Sequence, residues 1–260
     1  MPAQSMLEQA LRRDRLVVIS SLLAVVVLAW AYLLLGAGMG MHEMSMPMPG
    51  RHAMWTPGYA AVVLAMWAVM MAAMMLPSAA PMILLYGTIA RRKLETGDVV
   101  AGTGVFSLGY LAVWTAFTLA AVGLQFALER AAVLSPMMVM TSRVLAGLVM
   151  IGAGVYQWTP LKQACLRRCR SPLEFILTEW REGTRGALTM GMRHGAFCLG
   201  CCWMLMLLLF VGGVMNIAWI AGIALFVVVE KLAPAGHWIG RAAGVALIVW
   251  GGSTAIAGLR

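Results

Sequence analysis

Between residues 16 and 35 the chain runs for twenty residues without a charge. Wound as a helix, that stretch is as long as the hydrocarbon core of a bilayer is thick. Further apolar segments follow at 58–76, 102–128, 137–158, 196–211, 217–229 and 241–256, separated by Gly, Pro and charged residues. In lipid, backbone groups must bond among themselves, so unbroken apolar segments of this length read as spanning helices. The expectation is therefore an all-α, polytopic membrane helix bundle of about seven transmembrane helices. It forms a single domain over residues 16–260, preceded by a short arm at residues 1–15. Composition agrees: 62% hydrophobic and 11% charged residues leave more apolar surface than a soluble core of this size can hide. The first segment has no small-residue cleavage site and is read as retained, not as a removed signal peptide.

A net charge of +9 would point to nucleic acid in a soluble chain. Here topology explains it, and no nucleic-acid partner is expected. With the N-terminal arm inside, 15 of the 19 Lys and Arg residues fall in the arm, after the second span, in the loop 159–195 or before the last span. That asymmetry places the N-terminus in the cytoplasm and the C-terminus outside, in a bacterial inner membrane. Five cysteines, four of them in or beside a basic loop facing a reducing compartment, do not make a disulfide framework.

Three groups of residues carry possible chemistry. The outer loop, residues 36–57, interleaves Met39, Met41, His42, Met44, Met46, Met48, His52 and Met54 with Gly and Pro. Thioether is a soft ligand that prefers Cu(I) to Zn(II). Methionine is used 23 times along the chain, so part of this density is composition. In the second span Met66, Met70 and Met74 recur at i+4 and make a thioether stripe on one helix face, with Met71 and Met75 on the adjoining row. Flexible membrane packing accounts for such a stripe as readily as an ion path does.

The cysteines are the most specific signal. Cys165 and Cys169 share a helix face at i+4, and so do Cys198 and Cys202, with Cys201 at i+3 and His194 one turn earlier. Two such groups on one membrane face can close a soft-metal site for Cu(I), with Zn(II) as the alternative. Arg167, Arg168, Arg170 and Arg193 are the expected cations around the thiols. Glu230 and Lys231 stand at the end of the sixth segment. They read as a local ion pair at the interface, with Lys231 snorkelling, or else as a proton or cation relay.

These blocks also carry a family likeness. Tyr156-Gln157-Trp158-Thr159-Pro160-Leu161-Lys162, with Cys165, Cys169 and Arg170-Ser171-Pro172, and Met70-Met71-Ala72-Ala73-Met74-Met75-Leu76-Pro77-Ser78-Ala79-Ala80-Pro81, resemble a bacterial family catalogued as predicted metal-binding integral membrane proteins. His194-Gly195-Ala196-Phe197-Cys198-Leu199-Gly200-Cys201-Cys202-Trp203, Met215-Asn216 and Glu230-Lys231 fit it too. The resemblance covers about residue 55 to the end and implies a helical membrane protein with a metal role. The Met/His loop lies outside it.

No nucleotide loop, zinc-protease helix, nucleophile elbow or haem-type His set occurs, and no aspartyl-phosphate motif of a pumping ATPase. The expectation is a non-enzyme that handles copper for delivery or for assembly of a membrane metalloenzyme, with the bilayer and a membrane or periplasmic protein as partners. Two rivals stand beside it. One is a structural or assembly subunit whose Gly102, Gly104, Gly152, Gly154, Gly251 and Gly252 serve helix packing. The other is a membrane thiol oxidoreductase using Cys198, Cys201 and Cys202.

Overall fold

The computed structural model describes residues 2–36, 55–95, 101–135 and 138–260. The Met/His loop, with Met39, Met41, His42, Met44, Met46, Met48, His52 and Met54, lies outside the described residues. Helices account for the architecture: α1 (Pro2–Leu34), α2 (Pro57–Glu95), α3 (Thr103–Arg130), α4 (Arg143–Tyr156), α5 (Pro160–Arg170), α6 (Pro172–Glu179), α7 (Gly183–Leu207), α8 (Leu209–Gly212), α9 (Ile217–Leu232) and α10 (Gly236–Leu259). Among the described residues the one extended pairing is an isolated bridge between Leu134 and Met140.

Among the described residues five helices are long and apolar enough to cross a membrane: Leu16–Leu34, Pro57–Leu94, Thr103–Arg130, Gly183–Gly212 and Gly236–Leu259. A sixth span results if Arg143–Tyr156 and Pro160–Arg170 are counted as one broken helix, bent by 63°. This differs from the expected seven for a physical reason. The segment at 217–229 is apolar throughout, but its helix has only 16 residues, which at 1.5 Å per residue is short of a bilayer core. The segment at 196–211 belongs to a helix that starts earlier, at Gly183. The stretch 159–195, which reads as a polar loop, is helical for most of its length. Pro77 and Pro81 sit inside α2 without ending it.

Close backbone approach sets the packing. On α3 and α7, Gly109 lies against Leu188 and Met192, Gly191 against Phe106 and Tyr110, and Gly195 against Tyr110 and Val113. The contacts climb together, so α3 and α7 run parallel. On α4 and α10, Gly147 faces Gly251 and Gly154 faces Gly244, so that pair is antiparallel. Small residues at such contacts let two helices approach until their backbones touch. Gly102, Gly104 and Gly252 face open space, so only part of the expected small-residue packing uses the glycines anticipated for it. Helices α2, α3, α7 and α9 surround the centre, where Met66, Met70, Met71, Met74 and Met75 are all buried. Helix α1 packs on α2 and leaves Leu23, Val27 and Leu28 exposed.

The bend between α4 and α5 is written in four residues. Pro160 has no N–H for the carbonyl of Tyr156, and the residue before a proline is driven to extended backbone. Thr159 adopts that conformation, and its hydroxyl donates to Tyr156 O at 2.8 Å and accepts from Lys162 N. Helix α5 thus restarts with a side-chain cap and proline at its first turn. Its buried stripe, Lys162 and Leu166, turns toward α7 and α9, and Cys169 follows at the next step.

Candidate metal centre

Helix α7 places Cys198, Cys201 and Cys202 in the core, all fully buried. The thiols of Cys201 and Cys202 donate to the carbonyl of Cys198, at 3.1 and 2.8 Å, one turn back along their own helix. From α5, Cys169 comes in from the side, and its thiol and those of Cys198 and Cys202 all interact with the sulfur of Cys201. The two cysteine groups, separated by about thirty residues of chain, therefore meet at Cys201. Cys165 stands one turn away and packs on Gly200, where a Cβ would come within 2.6 Å of its sulfur. None of the five cysteines is in a disulfide.

The remaining partners come from three other helices. Lys231 of α9 is buried, and its ammonium donates to Cys198 Sγ at 2.9 Å and to Ser78 Oγ of α2 at 3.0 Å. The hydroxyl of Tyr110 on α3 donates to Met75 O at 3.2 Å and lies 3.1 Å from Cys198 Sγ. Ser78 Oγ donates to the same carbonyl at 2.9 Å. The Cys202 thiol points at Met75 Sδ, 3.9 Å away, so one thioether of α2 reaches the thiols. Met74, next to Met75 in the chain, and Met70, five residues before it, are fully buried on that helix.

Beneath this cluster lies a second charged pair. Lys162 Nζ is 2.9 Å from both carboxylate oxygens of Glu230, its hydrogen bond is directed at Oε2, and both side chains are almost wholly buried. Glu230 and Lys231 thus do not pair with each other as expected, and both are buried inside the bundle. Adjacent residues on a helix point about 100° apart, which lets Glu230 turn to α5 while Lys231 turns to α2 and α7. Three of the four arginines expected around the thiols are engaged elsewhere. Arg170 donates to the carbonyls of Glu230, Ala233 and Pro234, closing the C-terminal end of α9. Arg193 pairs with Glu179, and Arg168 with Glu174.

His194, one turn before Cys198, is enclosed by the rings of Phe106, Tyr110 and Phe175 at 5.5–6.2 Å, and its Nδ1 is buried without a hydrogen-bond partner. Among the described residues no three His, Cys, Asp or Glu side chains are placed as ligands of one metal ion. The site is a set of four gathered thiols and one thioether with a fixed cation. Lys162, Tyr110, Ser78 and Met75 are members that reading the sequence did not assign to the site. Lys162 had a signal: a lone Lys four residues before Leu166 and seven before Cys169 belongs on their face. Tyr110 and Ser78 had none.

The class that the fold and the site define is an all-helical bundle with soft sulfur donors gathered in its interior. Residues 64–254 match the family PpoB2, copper chaperone, and the chain belongs to that family. No curated protein and no solved structure matches the chain.

Proposed function

We propose that this protein is a multi-pass protein of the bacterial inner membrane that takes Cu(I) as cargo on its buried thiols and hands it to a membrane or periplasmic metalloenzyme during assembly. The observation that carries the reading is the meeting of Cys169 with Cys201, the thiol that Cys198 and Cys202 also contact. Thiolates and thioethers are the ligands that favour Cu(I) among biological metals. The copper-chaperone family match supports the cargo. Five long apolar helices and the exposed apolar face of α1 support the bilayer as the surrounding phase. The cytoplasmic N-terminus rests on the distribution of Lys and Arg. No catalytic role is assigned.

Anaerobic titration of the detergent-purified chain with Cu(I) against a chromophoric Cu(I) chelator tests this. Stoichiometric, tight copper is expected in wild type, with strong loss in Cys198→Ser/Cys201→Ser and retention in Cys165→Ser. Undiminished copper in a Cys169→Ser/Cys198→Ser/Cys201→Ser variant would remove the site.

A further inference from the structure

A buried ammonium beside metal-binding sulfur is at first sight a contradiction, because it repels any cation that arrives. The charges in the pocket resolve it. Lys162 and Glu230 form their own pair, and Arg170 is spent on the carbonyls that end α9. Ser78, Tyr110 and Met75 are neutral donors or acceptors. Among the described residues, Lys231 is left as the uncompensated fixed charge hydrogen-bonded to a thiol, and Ser78 holds it in place.

A sulfur binds metal as thiolate, having given up its proton to the medium that delivers the ion. Two thiolates with one Cu(I) make a complex of net charge −1. Inside an apolar bundle an uncompensated charge is heavily penalised. Lys231 supplies the missing positive charge, and the assembly is neutral. Two thiolates with Zn(II) are neutral by themselves, so Lys231 leaves that complex with an excess of +1. Zinc escapes this by recruiting three or four ligands in a tetrahedral set. No such set is placed among the described residues, whereas Cu(I) is content with two sulfurs in line.

We infer that Lys231, held on Cys198 Sγ at 2.9 Å and on Ser78 Oγ, is a built-in counter-cation that selects monovalent soft ions over divalent ones at the thiol cluster. The inference rests on the copper-binding reading above and adds the origin of its selectivity. Lys231 is a positioning and selectivity residue, and no metal bond is assigned to it.

The test compares wild type, Lys231→Met and Lys231→Arg, each competed against chromophoric chelators for Cu(I) and Zn(II) under anaerobic, reducing conditions, with Ag(I) as a second monovalent probe. Loss of a charged hydrogen-bond partner predicts that Lys231→Met weakens Cu(I) and Ag(I) by roughly 10- to 150-fold. Zn(II) affinity stays level or rises in the same variant, and Lys231→Arg keeps the monovalent preference. A fall of all three metals together would mean that Lys231 only supports the fold, and it would overturn the inference. An unchanged Cu(I) to Zn(II) ratio would overturn it as well. A wild type that takes up neither Cu(I) nor Ag(I) would defeat the copper-binding reading itself. Should Lys231→Met not survive purification, Ser78→Ala, which removes the anchor of the ammonium together with one hydrogen bond to Met75 O, is expected to narrow the same ratio; an unchanged ratio there overturns the inference.

Discussion

Lys162 and Glu230 are 68 residues apart in the chain and meet as an ion pair sealed from solvent, at 2.9 Å. The pair ties the arm that carries Cys169 to the helix that carries Lys231, so it fixes the relative position of two groups at the metal centre. Removing one member of a buried pair strands the other charge. Lys162→Met is expected to lower stability by about 3–5 kcal/mol, read from thermal unfolding of the detergent-purified protein. Lys162→Met/Glu230→Met should recover much of that loss. A double variant as damaged as the single one would show that the pair does more than neutralise itself.

Proximity of the two cysteine groups has its own test. A variant keeping only Cys169 and Cys201 should form an intramolecular disulfide on mild oxidation with diamide and so lose its reactivity toward a maleimide in detergent. If both thiols remain available to the maleimide, α5 and α7 do not bring those sulfurs together.

The α3–α7 contact predicts a contrast between two glycines. A Cβ at Gly191 would overlap the carbonyl of Phe106, whereas one at Gly252 meets open space. Gly191→Ala is expected to cost about 1–3 kcal/mol as overpacking, and Gly252→Ala about 0.5 kcal/mol or less in either direction. Paired melting curves decide it, and equal effects would contradict the close approach.

At the other end of the bundle, Gln125 accepts from Trp67 Nε1 at 2.7 Å and donates to Glu129 Oε1 at 2.8 Å, while Glu129 Oε2 accepts from Trp55 Nε1. Gln125→Leu leaves an indole N–H and a carboxylate oxygen without that partner, and a loss of about 1–3 kcal/mol is expected. Cu(I) affinity should not change, because this network lies well away from the thiols along α3. A parallel fall in copper binding would place the network in the metal path.

How far the sequence carried the reading depends on what each residue had to reveal. Apolar segments gave away the helical bundle and most of its helices, because burial and span length are local properties. The break at Thr159-Pro160 was legible only as chemistry, not as geometry: the proline signals an interruption, but the 63° turn depends on what α5 packs against. The cysteine spacing exposed the candidate ligands and left their meeting open, since nothing local says that α5 folds back on α7. Glu230-Lys231 was misread for the same reason. Two adjacent opposite charges look like a pair until the helix turns them to different neighbours, Lys162 and Cys198.

The parallel contact of α3 with α7 has a mechanical consequence for the thiols. Cys198, Cys201 and Cys202 ride on a helix locked to its neighbour through Gly109, Gly191 and Gly195, and form a fixed jaw. Cys169 rides on α5, which the Lys162–Glu230 pair and the bonds of Arg170 tie to α9, and forms the second jaw, half-buried where the first is sealed. A reagent arriving from outside the bundle therefore meets the α5 sulfurs, Cys165 and Cys169, before it meets those of α7.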